Sequence, residues 1–277
     1  MAGGLYGPTT HISRCDETKD EAVTMSSRAI ALIIFGCIFG SAVFGFLLRK
    51  ILPDQHLDSD SKDIVKLATG LIATMSALVL GLLVSAAKGT FDQANSELTQ
   101  LAVRTVVLDR VLAAYGPEAT EIRVLLKNTY TTATQELLSG DENEQNKLDT
   151  PEAVSRLEGI QSRIRALSPK TEEHRGLQAR ALALTSDMAN ARWLLVMQRN
   201  GSISTPMLVV MVFWLSIVFA AWGVFSPRNL TVATALLASA LAVSGATFLI
   251  LEMDRPLTGW IRVSAIPMQT AVSHLGE

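Results

Sequence analysis

Along this chain, apolar and polar positions are segregated into long blocks rather than mixed residue by residue. Four blocks carry no Asp, Glu, Lys, Arg or His: Ala29 to Leu48, Leu67 to Ala87, Pro206 to Phe225 and Leu230 to Leu251. Each is close to the ~20 apolar residues that carry a helix across a bilayer. A charge at the bilayer centre costs about 3 kcal/mol, so uncharged runs of this length predict spanning helices rather than helices of a soluble core. The first run closes on Arg49, Lys50 and Pro53; the third opens on Ser204, Thr205 and Pro206, a cap followed by an N-terminal proline. Ser226-Pro227-Arg228-Asn229 is so short a link that the third and fourth runs must be antiparallel. Asp16, Glu17, Asp20 and Glu21 precede the first run, and no small-x-small site follows it, so it reads as a retained helix rather than a cleaved signal.

Between the second and third runs lie residues 88–202, a stretch of 115 residues with 14 basic and 15 acidic side chains. Its apolar positions recur every three or four residues. The seams are Leu98, Leu101, Thr105, Leu108, Leu112 and Tyr115; then Leu157, Ile160, Ile164 and Leu167; then Leu177, Ala181, Leu184, Met188, Ala191 and Leu195. Gly116-Pro117, the polar run from Ser139 to Thr150 and Ser168-Pro169 break them apart. The pattern predicts helices near 89–115, 118–138, 152–167 and 171–199, packed as an antiparallel bundle. No alternating strand pattern occurs. Leu67 to Tyr115 contains no proline, and only Gly89 lowers its helix propensity, so the second span is expected to run into the insert as one rod of 49 residues, roughly 73 Å long.

The expected fold is therefore all-α. It comprises a polar tail (1–28), a first transmembrane hairpin (29–87, spans 29–48 and 67–87), a soluble helical insert (88–202), a second hairpin (203–251, spans 206–225 and 230–251) and a segment at 252–277. In that last segment Pro256 and Pro267 suit helix starts and Trp260 suits an aromatic anchor, which predicts one or two short helices in the membrane interface. Four spans put both termini on the side of the insert. Arginines and lysines near the spans number nine on that side and five on the other, which favours a cytoplasmic insert in a multi-pass cell-membrane protein.

Composition adds exclusions. Of the 277 residues, 49% are hydrophobic and 18% charged, the mean hydropathy is +0.31 and the net charge is −2. Without a basic excess, and with 6% aromatic residues, the chain is not built to bind nucleic acid. Cys15 and Cys37 are too few for a disulfide scaffold or a cysteine-rich zinc site, and His11, His56, His174 and His274 are isolated, so no metal or cofactor is expected. No phosphate-binding loop and no nucleophile–histidine pairing argues for an enzyme. Uncharged spans also argue against a proton-coupled transporter. Asn200-Gly201-Ser202 and Asn229-Leu230-Thr231 match a glycosylation sequon by chance.

What remains is a pattern of small residues. Thr69, Ala73, Ala77, Gly81, Ser85 and Gly89 recur every fourth position on the second span; Gly36 and Gly40 form a GxxxG on the first; Thr234, Ala238, Ala242 and Ala246 repeat on the fourth. Such stripes let membrane helices approach closely. On the second span the stripe is expected either to pack against a neighbouring helix or, with Thr74 and Ser76, to line a pore with hydroxyls for small ions. At the exit of the fourth span, Asp254 and Arg255 suit an ion pair or helix cap rather than a catalytic dyad.

Three blocks resemble the bestrophin-like domain family of bacterial membrane proteins. They are Leu80 to Asp92; Leu108 to Ala119 with Arg123; and Glu252-Met253-Asp254-Arg255-Pro256 through Gly259 to Val263, Ser264 and Pro267. The residues that carry the likeness are Asp92, Asp109, Arg110, Tyr115, Gly116, Pro117, Arg123, Glu252, Asp254, Arg255 and Pro256. Bestrophins are oligomeric anion channels with four membrane helices and a helical cytosolic region. The resemblance thus implies a homo-oligomeric channel in a lipid bilayer. They also have an aromatic pore neck and acidic calcium ligands; here the second span is not phenylalanine-rich and no dense acidic clasp occurs. The alternative is a membrane-anchored helical sensing or scaffold protein whose insert binds a partner.

Overall fold

A computed structural model describes residues 26–52, 59–139, 151–198, 203–227, 229–257 and 259–277. Among them the regular structure is all helical. The helices are α1 (Ser27–Leu48), α2 (Ser59–Tyr115), α3 (Thr120–Ser139), α4 (Pro151–Ala166), α5 (Glu172–Gln198), α6 (Thr205–Phe225), α7 (Leu230–Met253) and α8 (Ile266–His274). The polar tail before residue 26, the stretch 140–150 and Asn200-Gly201-Ser202 lie outside the described residues. Four helices, α1, α2, α6 and α7, are long and apolar enough to cross a membrane.

The rod expected from Leu67 to Tyr115 is present and longer. α2 runs unbroken for 57 residues, about 86 Å at 1.5 Å per residue, and Gly89 does not interrupt it. It ends where the sequence supplies a break: Gly116 takes φ +114°, which an L side chain rarely adopts, and Pro117 opens a single 3-10 turn before α3. Ser26 and Asn229 cap α1 and α7 through their side-chain oxygens, as capping chemistry requires.

The apolar helices form a square. α1 packs on α6 and α7, and α2 packs on the same two helices, so the consecutive pairs α1/α2 and α6/α7 sit across the diagonals. The two hairpins expected from the sequence are therefore antiparallel in direction but are not packed pairs. One core joins Ile34, Ile38 and Ala42 of α1 to Phe219, Leu236 and Ala240; a second joins Leu83 and Ala87 of α2 to Met211 and Ile250.

Within this single chain, the small residues singled out on the first and fourth spans are not the ones that make the close contacts. Gly36, Gly40, Thr234, Ala238 and Ala242 are exposed, and a Cβ on either of the two glycines would meet nothing within 4 Å. The close crossing is instead made by Gly45 and Gly223. A Cβ on Gly45 would overlap the Ala220 carbonyl, and one on Gly223 the Ala42 carbonyl. Ala42 and Ala220 each precede a glycine by three positions, so the crossing uses paired small-x-x-small segments rather than the GxxxG. Ser244 adds a polar tie by donating to the Ala31 carbonyl at 2.7 Å, joining α7 to α1.

The insert is the helical bundle that its seams predict. Leu98, Leu108, Leu112, Tyr115, Ile160, Ile164, Ala181, Met188 and Leu195 are buried in one core. Gln178 of α5 donates to the carbonyls of Ile164 and Leu167 at 2.8 and 2.9 Å, satisfying the groups that α4 leaves open where it stops. The segment 252–277 departs from expectation. Its Leu257, Val263, Met268, Ala271 and Leu275 enter the bundle core, and α8 packs on α2 and α3. The face expected to lie on a membrane surface is covered by protein, because an apolar helix face is satisfied by whichever apolar surface reaches it first.

Candidate functional site

α2 belongs to both layers, and its faces define the site. In the span region its packed face is Thr69, Ser76, Leu83 and Ala87, spaced seven, seven and four apart. Continuing up the rod, Ala94, Leu98, Ala102, Thr105 and Leu108 keep the same face buried in the bundle. Spacing near 3.5 holds one face of a helix, whereas an every-fourth repeat turns by about 40° per step. The stripe read from the sequence accordingly winds around the rod. Thr69 is buried, Ala73 half-buried, and Ala77, Gly81, Ser85 and Gly89 exposed.

Opposite the packed face runs a seam that none of the described residues covers: Leu67, Leu71, Thr74, Leu78, Gly81, Ser85, Lys88 and Asp92, alternating steps of four and three. All eight are exposed, and a Cβ on Gly81 would meet nothing within 4 Å. The seam changes character along its length. Leucines occupy the end remote from the insert, Thr74, Gly81 and Ser85 the middle, and an ion pair between Lys88 and Asp92 the end nearest the bundle. Thr74 donates its hydroxyl proton to the Gly70 carbonyl at 2.9 Å, and Ser76, on the packed face, does the same to Ile72 at 2.8 Å. The oxygens left over are acceptors. The stripe contributes only Gly81 and Ser85 to this seam. The other members were hidden because leucines in a span look alike whichever way they point.

The remaining residues singled out in the sequence fall into three places. Asp109, Arg110 and Arg123 come together where α2 and α3 meet residues 276–277, with Asp109 buried and Arg110 half exposed. Asp109 is 1% exposed and accepts two hydrogen bonds from Arg123, Nε to Oδ1 at 2.8 Å and Nη2 to Oδ2 at 2.7 Å, plus one from the Gly276 amide at 3.2 Å. Arg110 and Arg123 also donate to the Glu277 carbonyl at 2.9 and 3.2 Å, and Lys127 donates to the Leu275 carbonyl at 2.7 Å. Burial alone would raise the Asp109 pKa; the Arg123 and Gly276 hydrogen bonds and the charges of Arg123 and Arg110 outweigh it, so the carboxyl titrates below its ordinary value. Arg123 is correspondingly held more firmly protonated, chiefly by its bond to Asp109. The group is a latch that fixes residues 275–277 to α2 and α3. Lys127 and residues 275–277 were not legible, since no local pattern announces a contact across 148 positions.

Tyr115, Gly116 and Pro117 make the turn that ends the rod, with the Tyr115 ring stacked on His174 at 4.7 Å. Glu252, Asp254, Arg255 and Pro256 shape the exit from α7. Buried Glu252 accepts from the Trp260 amide, and Asp254 accepts from the Ile203 amide at 3.3 Å, tying the entry of α6 to the exit of α7. The Arg255 and Pro256 carbonyls accept from Gly259 and Val263, each at 3.0 Å. Gly259 fits because a Cβ there would lie 2.7 Å from a Glu252 carboxylate oxygen and 3.0 Å from its carbonyl. Trp260 is exposed, with the Arg28 guanidinium 4.2 Å above its ring, so the start of α1 and the end of α7 lie at one end of the array. Each of these carboxylates has a structural partner, and among the described residues no group of His, Cys, Asp or Glu could hold a metal ion.

This rod, its bundle and its latch can be compared with known proteins. The sequence matches the bestrophin-like domain over residues 36–268. The chain belongs to the bestrophin-like family. Two solved structures share the fold, both point variants of a bacterial bestrophin homologue from Klebsiella pneumoniae. The isoleucine-to-threonine variant superposes with a TM-score of 0.62 at 12% identity, covering 88% of this chain and 97% of that one. The leucine-to-threonine variant gives 0.61 at 13% identity, over 86% and 97%. No curated protein matches the sequence. The bestrophin-like match contains the rod, the bundle and α7, but stops within α8, before the latched residues 275–277.

Proposed function

We propose that this bestrophin-like protein is a homo-oligomeric channel for small anions, in which several copies of α2 turn their uncovered seam toward a common axis. In this reading α1, α2, α6 and α7 cross the cell membrane, the insert follows the second span on the cytoplasmic side with both termini, and the protein works as a conduit rather than an enzyme. The observation that carries the reading is the uncovered seam itself. α2 is the least covered of the four apolar helices, and its open face combines glycine, hydroxyls and a terminal Lys88–Asp92 pair. Within the span, Thr74, Gly81 and Ser85 break the leucine surface that a purely lipid-facing helix would present, and the Lys88–Asp92 pair stands just past the span, where a conduit would open toward the insert. Family membership gives the same direction, and since the Thr74 hydroxyl offers the seam only acceptor lone pairs, the preference for anions rests on Lys88 and on that membership.

The test is ion flux from liposomes holding the full chain. The expected result is flux above empty liposomes, blocked by Gly81→Trp, which adds bulk where the single chain has open space. Lys88→Glu should shift the reversal potential toward cations. Absence of flux in chloride, nitrate and sodium salts would sink the channel and leave the membrane-anchored sensing module as the reading to pursue.

A further inference from the structure

The bundle contains a cavity of about 130 Å³, bounded by α2, α3, α4, α5 and segment 252–277. The inward face of α3 steps through Leu126, Tyr130, Ala133 and Leu137, so an alanine stands on the cavity wall where its neighbours on that face are large. Well-packed interiors keep few voids larger than a water molecule, and a space of this size exceeds that looseness. Leu126, Ile160, Met188 and Leu195 make the wall aliphatic, and water inside would find few partners. The charged residues that border the cavity are committed to partners of their own. Arg156 is bonded to Glu136 at 3.0 Å, and Arg192 is engaged as well. The Tyr130 hydroxyl and Glu136 Oε2 are fully enclosed, so neither presents a polar surface to the space. The cavity also lies where three spans hand over to the bundle. Leu98 and Leu101 belong to α2, Leu195 to α5, which leads toward α6, and Leu257 follows α7. Ala133, Leu157 and Val196 on the wall are half-buried, which leaves a molecule a way in between α3, α4 and α5.

We propose that this cavity is a binding site for an uncharged hydrocarbon group of about six carbons, either the whole of a small free molecule or the end of an acyl chain. The size follows from the volume, since a dry cavity of about 150 Å³ with aliphatic walls takes benzene. The absence of charge on the ligand follows from the wall: a buried charge without a partner is costly, and the bordering charges are already engaged. An occupant would touch α2, α5 and the exit of α7 together, so the site lets a small apolar molecule bear on the junction of insert and spans. It does not depend on the channel reading.

The probe is benzene, titrated into the full chain in nanodiscs and read through the methionine methyl signals in NMR spectra. Met188 and Met268 line the cavity, whereas Met75 and Met207 are exposed on the spans and report partition into lipid. Benzene is expected to shift Met188 and Met268 saturably, over a range where Met75 and Met207 change only linearly. Benzoate, which adds a carboxylate to the same ring, should leave Met188 and Met268 in place. Ala133→Phe should abolish the saturable shift, and Ala133→Leu should weaken it at least about tenfold; if the first fails to fold, the second carries the comparison. Mass spectrometry of the purified chain distinguishes the sources: a retained small molecule or a retained phospholipid, lost in either case from Ala133→Leu, each supports the site. No saturable shift, together with no retained molecule, overturns the proposal. A shift that survives unchanged in Ala133→Leu places benzene elsewhere and overturns the cavity as the site, and equal shifts by benzoate overturn the uncharged ligand.

Discussion

The two halves of α2 are one helix in two solvents. In the lower half Leu67, Leu71 and Leu78 are 65–76% exposed; in the upper half Leu98, Leu108 and Leu112 are at most 4% exposed. The residue type is the same and its fate is opposite. In the upper half water drives leucine inward, so apolar positions mark the core. In the lower half apolar surroundings remove that drive, and the packed face goes to side chains that allow close approach or bond across helices. Thr69, Ser76 and Ala87 are therefore buried beside Leu83, while Leu67, Leu71 and Leu78 look outward. Hydrophobicity reports burial in one half and carries no such information in the other.

The sharpest break of this comparison is at the helix crossing. Gly45→Leu or Gly223→Leu forces a side chain into the facing backbone carbonyl, where nothing flexible can yield. Overpacking of this kind costs about 3 kcal/mol or more, and either variant should fail to accumulate folded protein. Gly36→Leu, with open space around its Cβ position, should be tolerated by the single chain. Folded fractions in a mixed-micelle denaturant titration decide the matter; equal tolerance at positions 36 and 45 would mean that the crossing is not as close as described.

Next in size is the latch. Asp109→Ala strands Arg123, which keeps 20% of its side chain exposed, and removes an acceptor from the Gly276 amide. Loss of one partner from a buried pair costs about 3 kcal/mol, felt in the bundle rather than the spans. Heating followed by circular dichroism should show a lower bundle transition, and hydrogen exchange should show faster exchange around residues 266–276. An unchanged transition would relegate the latch to decoration.

The same carboxylate sets a pH response. Its pKa is lowered in the folded chain, so its contribution is complete above the ordinary aspartate value of about 3.9 and is lost as the pH falls through the lower folded value. Acid should therefore loosen residues 275–277 only below that range, and Asp109→Asn should remove the dependence. Release beginning near pH 6 would implicate another group.

How much of this was legible follows from the same contrast of solvents. The bundle seams were readable because water enforces them: Thr105, Ile164 and Ala181 lie where three-four spacing placed them. The rod was readable because its only weak point was one glycine, and its end because Gly116-Pro117 admits no other geometry. The faces in the membrane were not. Gly36, Gly40 and, on the fourth span, Thr234, Ala238 and Ala242 looked like contacts and are exposed in the single chain, whereas Gly45, Gly223 and Ser244 make the contacts and showed no stripe. The burial of α8 was not legible because its apolar face fits a bilayer surface and a bundle groove equally well; Met268 and Ala271 face the bundle, while the expected anchor Trp260 stays exposed. The cavity and the latch depend on side chains brought together from distant helices, which no local pattern announces. Asp109, Arg110 and Arg123 were singled out only through family resemblance, without their geometry.

Ser244→Ala tests the polar tie across the span array. It removes one buried bond to the Ala31 carbonyl, worth about 1 kcal/mol, and should lower the denaturant midpoint slightly while leaving the bundle unaffected. No shift would mean that the serine bonds to its own helix in the membrane.

The smallest effect is the most discriminating. Gly89 sits in the middle of the rod, exposed, at the junction between the two solvents, and a Cβ there would meet nothing within 4 Å. In an isolated chain Gly89→Ala changes only helix propensity and should stabilise the rod by about 1 kcal/mol. Gly89 flanks the uncovered seam beside Lys88, so if copies of α2 meet there closely enough to enclose that flank, the added methyl intrudes and the gain becomes a loss in the assembled protein alone. Measuring the variant at protein concentrations above and below assembly separates the two. A gain at both concentrations means that the junction stays open even in the oligomer, and any close contact must then lie elsewhere on the seam. A sign change with concentration would place the contact at the level of Gly89.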